Sequence, residues 1–361
     1  MSSPKTLHAN PMQAQNQETL ASWSPLFVVN VSEKLSDVGG QVVQQDSGLH
    51  FTIIDQRGCT CHIIIICDGH GHKGEIISGM VTTTFYQEMS NSGFYDRFKQ
   101  NPTETAVSMF KTAQENIFRY MLESLEEGQH KYKIKDGNIY SSAPILKGGT
   151  TATVVMVDEE GSVFTMNVAD SEAWMIQGSS AIQLTADHLP DTPSEYERIQ
   201  SEYSSTKHLY DRRYYMKPHT RGDDIFPLTE KKGYYVKNVN EDWAAVVVVD
   251  VPLSGGGVFA QKLAFTRSIG DENMRKGGVI ETPSVSTHTA SDSSIILVAS
   301  DGFWDNIKTS SLVDKTCEDA ETKDGKSMGQ QWFDRVKKEN NKNFGSERDN
   351  MMGYLITMQK I

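Results

Sequence analysis

Ile63-Ile64-Ile65-Ile66-Cys67-Asp68-Gly69-His70-Gly71 is the stretch that decides the fold. An unbroken run of β-branched residues of this length reads as a buried strand. The Asp-Gly-His-Gly that ends it is poor strand material. It places a carboxylate and an imidazole at the rim of a sheet, on a backbone free to turn sharply. Working outward, Leu49 to Asp55, the turn Gln56-Arg57-Gly58 and Cys59 to Cys67 read as a hairpin. Asp301-Gly302 follows the apolar run Ile295 to Ala299 in the same manner. Two strand-end aspartates of this kind point to one shared site.

Thr151 to Val157, the turn around Glu159-Glu160-Gly161, and Val163 to Val168 give a second hairpin signal, with Glu172 to Gln177 as the next strand. Trp243 to Val251 and Tyr354 to Met358 also read as strands. Gly74 to Ser90 reads as a helix. Residues 102–127 form a stronger one, with Pro102 in the first turn. Its Ala106, Met109, Phe110, Ala113, Ile117, Phe118, Met121 and Leu122 keep i, i+3, i+4 spacing. That stripe is core packing. Further helices are expected near Ser310–Ala320 and Lys326–Lys338. Strands outnumber helices and arrive in hairpins, which predicts an α+β fold with antiparallel sheets and helices packed outside.

The chain has 361 residues, 37% hydrophobic and 23% charged, enough to bury a core without staples. A formal net charge of −12 argues against a general nucleic-acid binder or a partner for anionic membranes. No apolar run approaches the length of a membrane span. Residues 1–22 are polar and aperiodic, and read as a flexible N-terminal arm. Cys59, Cys61 and Cys67 lack a second ligand pair for zinc. They read as small apolar fillers in a reducing compartment, cytoplasmic or nuclear.

Asp46, Asp68, Asp170, Asp301, Asp305 and Asp349 stand at strand ends or in turns. Carboxylates gathered at one rim repel unless cations neutralise them. Oxygen donors without clustered Cys or His select Mg²⁺ or Mn²⁺ over zinc. Two such ions ~4 Å apart activate water and clamp an in-line displacement at phosphorus. His70, beside one ligand, is placed to protonate a leaving alkoxide.

Taken in order, these segments resemble the metal-dependent Ser/Thr protein phosphatases of the type 2C class, from about Val38 to the C-terminus. The family's D-G-H-G stands as Asp68-Gly69-His70-Gly71, and its G-[ST]-T-A as Gly149-Thr150-Thr151-Ala152. Its N-x-G-D-S stands as Asn167-Val168-Ala169-Asp170-Ser171. L-[TS]-x-D-H-x-P appears as Leu184 to Pro190, followed by Glu195 and Arg198-Ile199. Leu263 to Asp271, Asp301-Gly302-Phe303-Trp304-Asp305 and Asp349-Asn350 complete the set.

The resemblance implies a four-layer α-β-β-α sandwich, two antiparallel sheets flanked by helices, in a catalytic domain spanning 23–361. It implies a phosphoprotein phosphatase acting on phosphoserine and phosphothreonine through a metal-bridging hydroxide, with two Mg²⁺ or Mn²⁺ ions and a weaker third. Asp68 is the implied bridge between the two metals, with the carbonyl of Gly69 as a further ligand. Asp301 and Asp349 complete the first metal's shell, Asp46 holds metal-bound water, and Asp170 and Asp305 serve the third position. His70 is the implied general acid. The implied partners are phosphorylated protein substrates, with no nucleic acid and no membrane, and the chain is expected to be a monomer.

Four departures from the family pattern matter. Gln45 precedes Asp46 where an acid is usual, so one metal ligand position loses a charge. Gln41 stands where the family has its phosphate-binding Arg, and an amide cannot replace a bidentate guanidinium. Ala169 replaces a usual Gly, a minor change if its φ stays negative. An enlarged flap insertion at about 200–255 carries basic and tyrosyl residues in an acidic chain, suited to selecting phosphoproteins. The alternative is a catalytically impaired pseudophosphatase, weakened at Gln41 and Gln45 and acting as a regulatory binding protein.

Overall fold

A computed structural model describes residues 23–33, 43–135, 138–190, 192–203, 210–212, 245–252, 258–304, 332–338 and 349–360. The arm at 1–22, Gln41, Asp305, the helix expected near Ser310–Ala320 and most of the insertion lie outside the described residues.

The isoleucine run forms an inner strand, Thr60–Cys67, of a five-stranded antiparallel sheet. The order across that sheet is Ser284–Thr289, Ser162–Val168, Ala152–Asp158, Thr60–Cys67 and Ser47–Ile54. Side chains alternate across a strand, so a continuous apolar run implies burial on both faces. Ile63 and Ile65 pack under helices, whereas Ile64 and Ile66 enter a different core between sheets; all four are fully buried. Each contributes about 1.5–3 kcal/mol by leaving water.

The covering helices are α1 (Gly74–Met89), α2 (Phe94–Gln100) and α3 (Pro102–Glu127). The expected stripe on α3 is the buried one: Ala106, Met109, Phe110, Ala113, Ile117 and Met121 meet Ile77, Val81 and Phe85 of α1 over the sheet. Pro102 occupies the first turn, where its missing N–H costs nothing.

A second five-stranded antiparallel sheet runs Trp23–Glu33, Met351–Lys360, Ile295–Ala299, Glu172–Gln177 and Ser180–Gln183. Its Ala173, Met175, Ile296, Val298, Tyr354 and Ile356 share one core with Ile64, Ile66, Val155 and Val157 of the first sheet. Leu297, Ala299 and Leu355 point the other way, onto Phe303, Trp304, Trp332, Phe333 and Val336. The fold is thus mixed, with antiparallel sheets and helices on their outer faces.

Elements not expected from sequence include the strands Trp23–Glu33, Ser180–Gln183 and Ser284–Thr289, and helix α2. The final strand is also longer than the expected Tyr354–Met358, because it pairs on both sides. Of the insertion, a fourth helix, α4 (Pro193–Tyr203), leads in from the domain. Strands Tyr210–Arg212, Ala245–Pro252 and Val258–Leu263 form a separate three-stranded sheet. Among the described residues no helix is long and apolar enough to cross a membrane.

Candidate metal centre and its histidine

The end of Thr60–Cys67 is held by two threonines. Asp68 N–H donates to Thr151 Oγ1 at 2.9 Å, while Thr151 N–H and Thr150 Oγ1 donate to the Asp68 carbonyl at 2.9 and 2.8 Å. Thr151 Oγ1 in turn meets Ser171 Oγ at 2.7 Å, next to Asp170. The Gly149 and Asn167 motifs therefore fix the Asp68 corner.

Gln45 closes the other side. Its carbonyl accepts from Gly69 N–H at 3.1 Å and from Ser78 Oγ at 2.6 Å. Its own N–H donates to Asn350 Oδ1 at 2.8 Å, and its side-chain amide donates to the Gly71 carbonyl at 3.1 Å. A Cβ on Gly69 would fall 2.5 Å from the Gln45 carbonyl oxygen and 2.3 Å from that of Gly74, so no other residue fits. Gly302 is required for the same reason, since a Cβ there would meet the Asn350 carbonyl oxygen at 2.0 Å. Ser300 Oγ donates to Asp46 Oδ2 at 2.8 Å.

Asp46, Asp68, Asp170, Asp301 and Asp349 are thereby brought within one another's fields. Burial holds Asp68 well above the ordinary carboxylate range, and Asp46, Asp301, Asp349 and Asp170 add to it. Burial likewise pushes Asp46 up to about 7. The Ser300 hydrogen bond opposes this, and the Asp349 and Asp301 charges reinforce it. Asp46 Oδ1 is buried without a hydrogen-bond partner among the described residues. Among those residues no three His, Cys, Asp or Glu side chains close into a ready-made metal cage. The donor set itself, carboxylates and a nearby carbonyl with a buried orphan oxygen, fits a hard divalent cation such as Mg²⁺ or Mn²⁺.

His70 is one step from this cluster. Its Nε2 lies 2.8 Å from Asp271 Oδ2, and its ring meets Phe265 edge-on at 5.1 Å. Burial works against a charged ring, but the charge and hydrogen bond of Asp271 outweigh it and raise the His70 pKa. The Asp271 contact escaped the sequence reading. The residue ends a recognisable motif, yet nothing in that motif says what its carboxylate faces.

At Ala169 the condition under which the change would be minor is not met. Its φ is +70°, in the left-handed region, so the methyl is strained there rather than neutral. It is nonetheless fully buried with Ile199, Val247 and Phe265. Nearby, Glu195 on α4 binds Arg198, Arg267 and Thr266, clasping the stem of the insertion to the domain.

Carboxylates so arranged serve hydrolysis assisted by divalent cations. Comparison with known proteins narrows that class to one family. The model of protein phosphatase 2C matches residues 87–217 and 236–339, the greater part of the chain. The chain belongs to this family of serine/threonine protein phosphatases. The probable protein phosphatase 2C 61 of Arabidopsis thaliana is 27% identical over 319 residues, covering 84% of this chain and 79% of that protein. The fold is similar to the crystal structure of serine-threonine phosphatase 2C from Toxoplasma gondii, with TM-score 0.57 and 15% identity over 92% of this chain and 99% of that one. It is also similar to the catalytic domain of the serine threonine protein phosphatase PstP in complex with 2 manganese ions, with TM-score 0.50 and 10% identity over 94% and 99%.

Proposed function

We propose that this protein is a catalytically competent, metal-dependent phosphatase that releases phosphate from phosphoserine and phosphothreonine of proteins. The observation that carries the reading is the set of acids gathered around the buried Asp68, flanked by His70. Asp68, the Gly69 carbonyl, Asp301 and Asp349 would hold the ions, with Asp46 beside them and Asp170 at a weaker position. Two Mg²⁺ or Mn²⁺ ions held there would supply activation of the attacking water and the positive charge that a phosphoryl group demands. His70 lies where it can give a proton to the departing seryl or threonyl oxygen. Three of the hydrophobic cores, one under α1–α3, one shared by the two five-stranded sheets and one against Phe303 and Trp332, support the four-layer α-β-β-α arrangement.

Gln45 favours the second reading, a pseudophosphatase that binds without turnover. Its amide is engaged with the Gly71 carbonyl and brings no charge to the site. Five retained aspartates and His70 weigh against it. The deciding experiment is hydrolysis of an aryl phosphate with added Mn²⁺ or Mg²⁺, against EDTA and Asp301→Ala controls. Metal-dependent turnover lost in both controls is expected. No turnover at any metal concentration establishes the pseudophosphatase.

A further inference from the structure

Asp271 sits in a turn at the far end of the chain from His70 in sequence, yet its Oδ2 reaches His70 Nε2 at 2.8 Å. It is fully buried, and the His70 side chain is 27% exposed, so the ring is anchored on one side and open on the other. The turn that carries Asp271 is built to be rigid. Asp271 itself adopts φ +49°, a left-handed conformation that Asp tolerates better than most residues. Its N–H donates to the Gly148 carbonyl at 2.8 Å, and its carbonyl accepts from Met274 N–H at 2.8 Å. Gln114 of α3 accepts from Gly270 N–H at 2.8 Å, and Arg275 donates to the Ser268 and Gly270 carbonyls and to Gln114. The space for the pair is left by Gly149. A Cβ there would fall 2.1 Å from Asp271 Oδ2 and 2.7 Å from His70 Nε2.

We infer that Asp271 is the positioning residue for His70, fixing its ring and dictating which nitrogen serves the substrate. This deepens, and rests on, the phosphatase reading above. A carboxylate oxygen only accepts, so His70 Nε2 carries the hydrogen of this bond and Nδ1 is the nitrogen left for chemistry. As the oxygen of an attacking water bonds to phosphorus and gives up a proton to solvent, the P–O bond to the seryl or threonyl oxygen breaks, and its electron pair stays on that oxygen, which takes the proton from Nδ1. The ring is left as the neutral Nε2–H tautomer, still bonded to Asp271, and a proton from solvent water restores Nδ1–H. Phe265 against the ring edge limits the other way the imidazole could turn.

The inference separates from a structural role by its dependence on the leaving group. A serine alkoxide needs an acid, whereas a nitrophenolate leaves with little help. Asp271→Asn replaces a pure acceptor by an amide that accepts or donates, so the tautomer is no longer dictated. With Mn²⁺ present, this variant is expected to lose on the order of 10²-fold in kcat on a phosphoserine peptide. The loss on p-nitrophenyl phosphate is expected to be smaller by about tenfold or more. In His70→Asn, adding Asp271→Asn should cost nothing further. Equal losses on both substrates, or additive losses in the double variant, overturn the inference. A second readout needs no turnover. Two-bond ¹H–¹⁵N spectra of His70, at a pH where the ring is neutral, should show the Nε2–H tautomer in the wild type and a mixture in Asp271→Asn. An Nδ1–H tautomer in the wild type refutes the assignment even if the protein is inactive, whereas an inactive protein with the Nε2–H tautomer refutes only the phosphatase reading.

Discussion

Ser300 and Asp46, far apart in sequence, share a 2.8 Å hydrogen bond in which the serine hydroxyl donates to the buried carboxylate. The same hydroxyl accepts from Met352 N–H at 3.0 Å. One small side chain thus ties the Gln45-Asp46 segment, the strand leading to Asp301 and the strand leading away from Asp349.

Ser300→Ala leaves Asp46 Oδ2 and Met352 N–H buried without this partner. An unsatisfied buried polar group costs about 1–3 kcal/mol, so urea denaturation should show a loss in that range. A variant as stable as the wild type would mean the hydroxyl is dispensable to the joint.

Glu195 makes a comparable joint at the insertion stem. Burial would raise its pKa, but hydrogen bonds from Arg267 and Arg198 outweigh this and hold it at about 2. Its stabilisation is present above the ordinary glutamate value and is lost as pH falls toward 2. Glu195→Ala strands two guanidinium groups and should cost about 3–5 kcal/mol in a denaturant titration at pH 7. A loss below about 1 kcal/mol would show that solvent reaches the arginines.

His62 gives a pH dependence of the same sign at higher pH. Burial first, then the adjacent His50 ring, pushes its pKa down to about 4. The unfolded chain takes up the proton near the ordinary value of about 6.5, so the fold loses stability as pH falls from there toward 4. Between pH 7 and pH 5, His62→Gln should lose less of its thermal midpoint than the wild type. Parallel losses would contradict the assignment.

Ala169→Gly relieves a left-handed alanine, worth about 1–2 kcal/mol, at the expense of one buried methyl, about 0.8 kcal/mol. The variant should be slightly more stable, by less than about 1 kcal/mol on chemical denaturation. Destabilisation would place the methyl's packing above the backbone strain.

Much of this was legible in the chain. Ile63 to Ile66 and the α3 stripe carry their own burial pattern, so strand and helix followed from periodicity. Trp23–Glu33 did not, because Pro25 and its polar residues break the pattern and its partner strand, Met351–Lys360, lies at the other end of the sequence. Ser284–Thr289 is largely Ser, Thr and His, and is a strand through its pairing with Ser162–Val168. At the site, Asp68, Asp170 and Asp301 announced themselves by following apolar runs, whereas Asp46 and Asp349 stood out only through the family resemblance. Asp271 and Ser300 did not, since their roles come from tertiary contacts no local pattern encodes. At Ala169 the condition of a negative φ is not met, because φ is set by the Asn167–Ser171 turn, not by the side chain.

The central claim is that the acids around Asp68 are a divalent-metal site. Calorimetric titration of the protein with Mn²⁺ tests it most directly, with Asp68→Asn as the comparison. The proposed function predicts saturable binding of about two ions to the wild type and loss of tight binding in the variant. Equal binding by both proteins, or none by either, would contradict it.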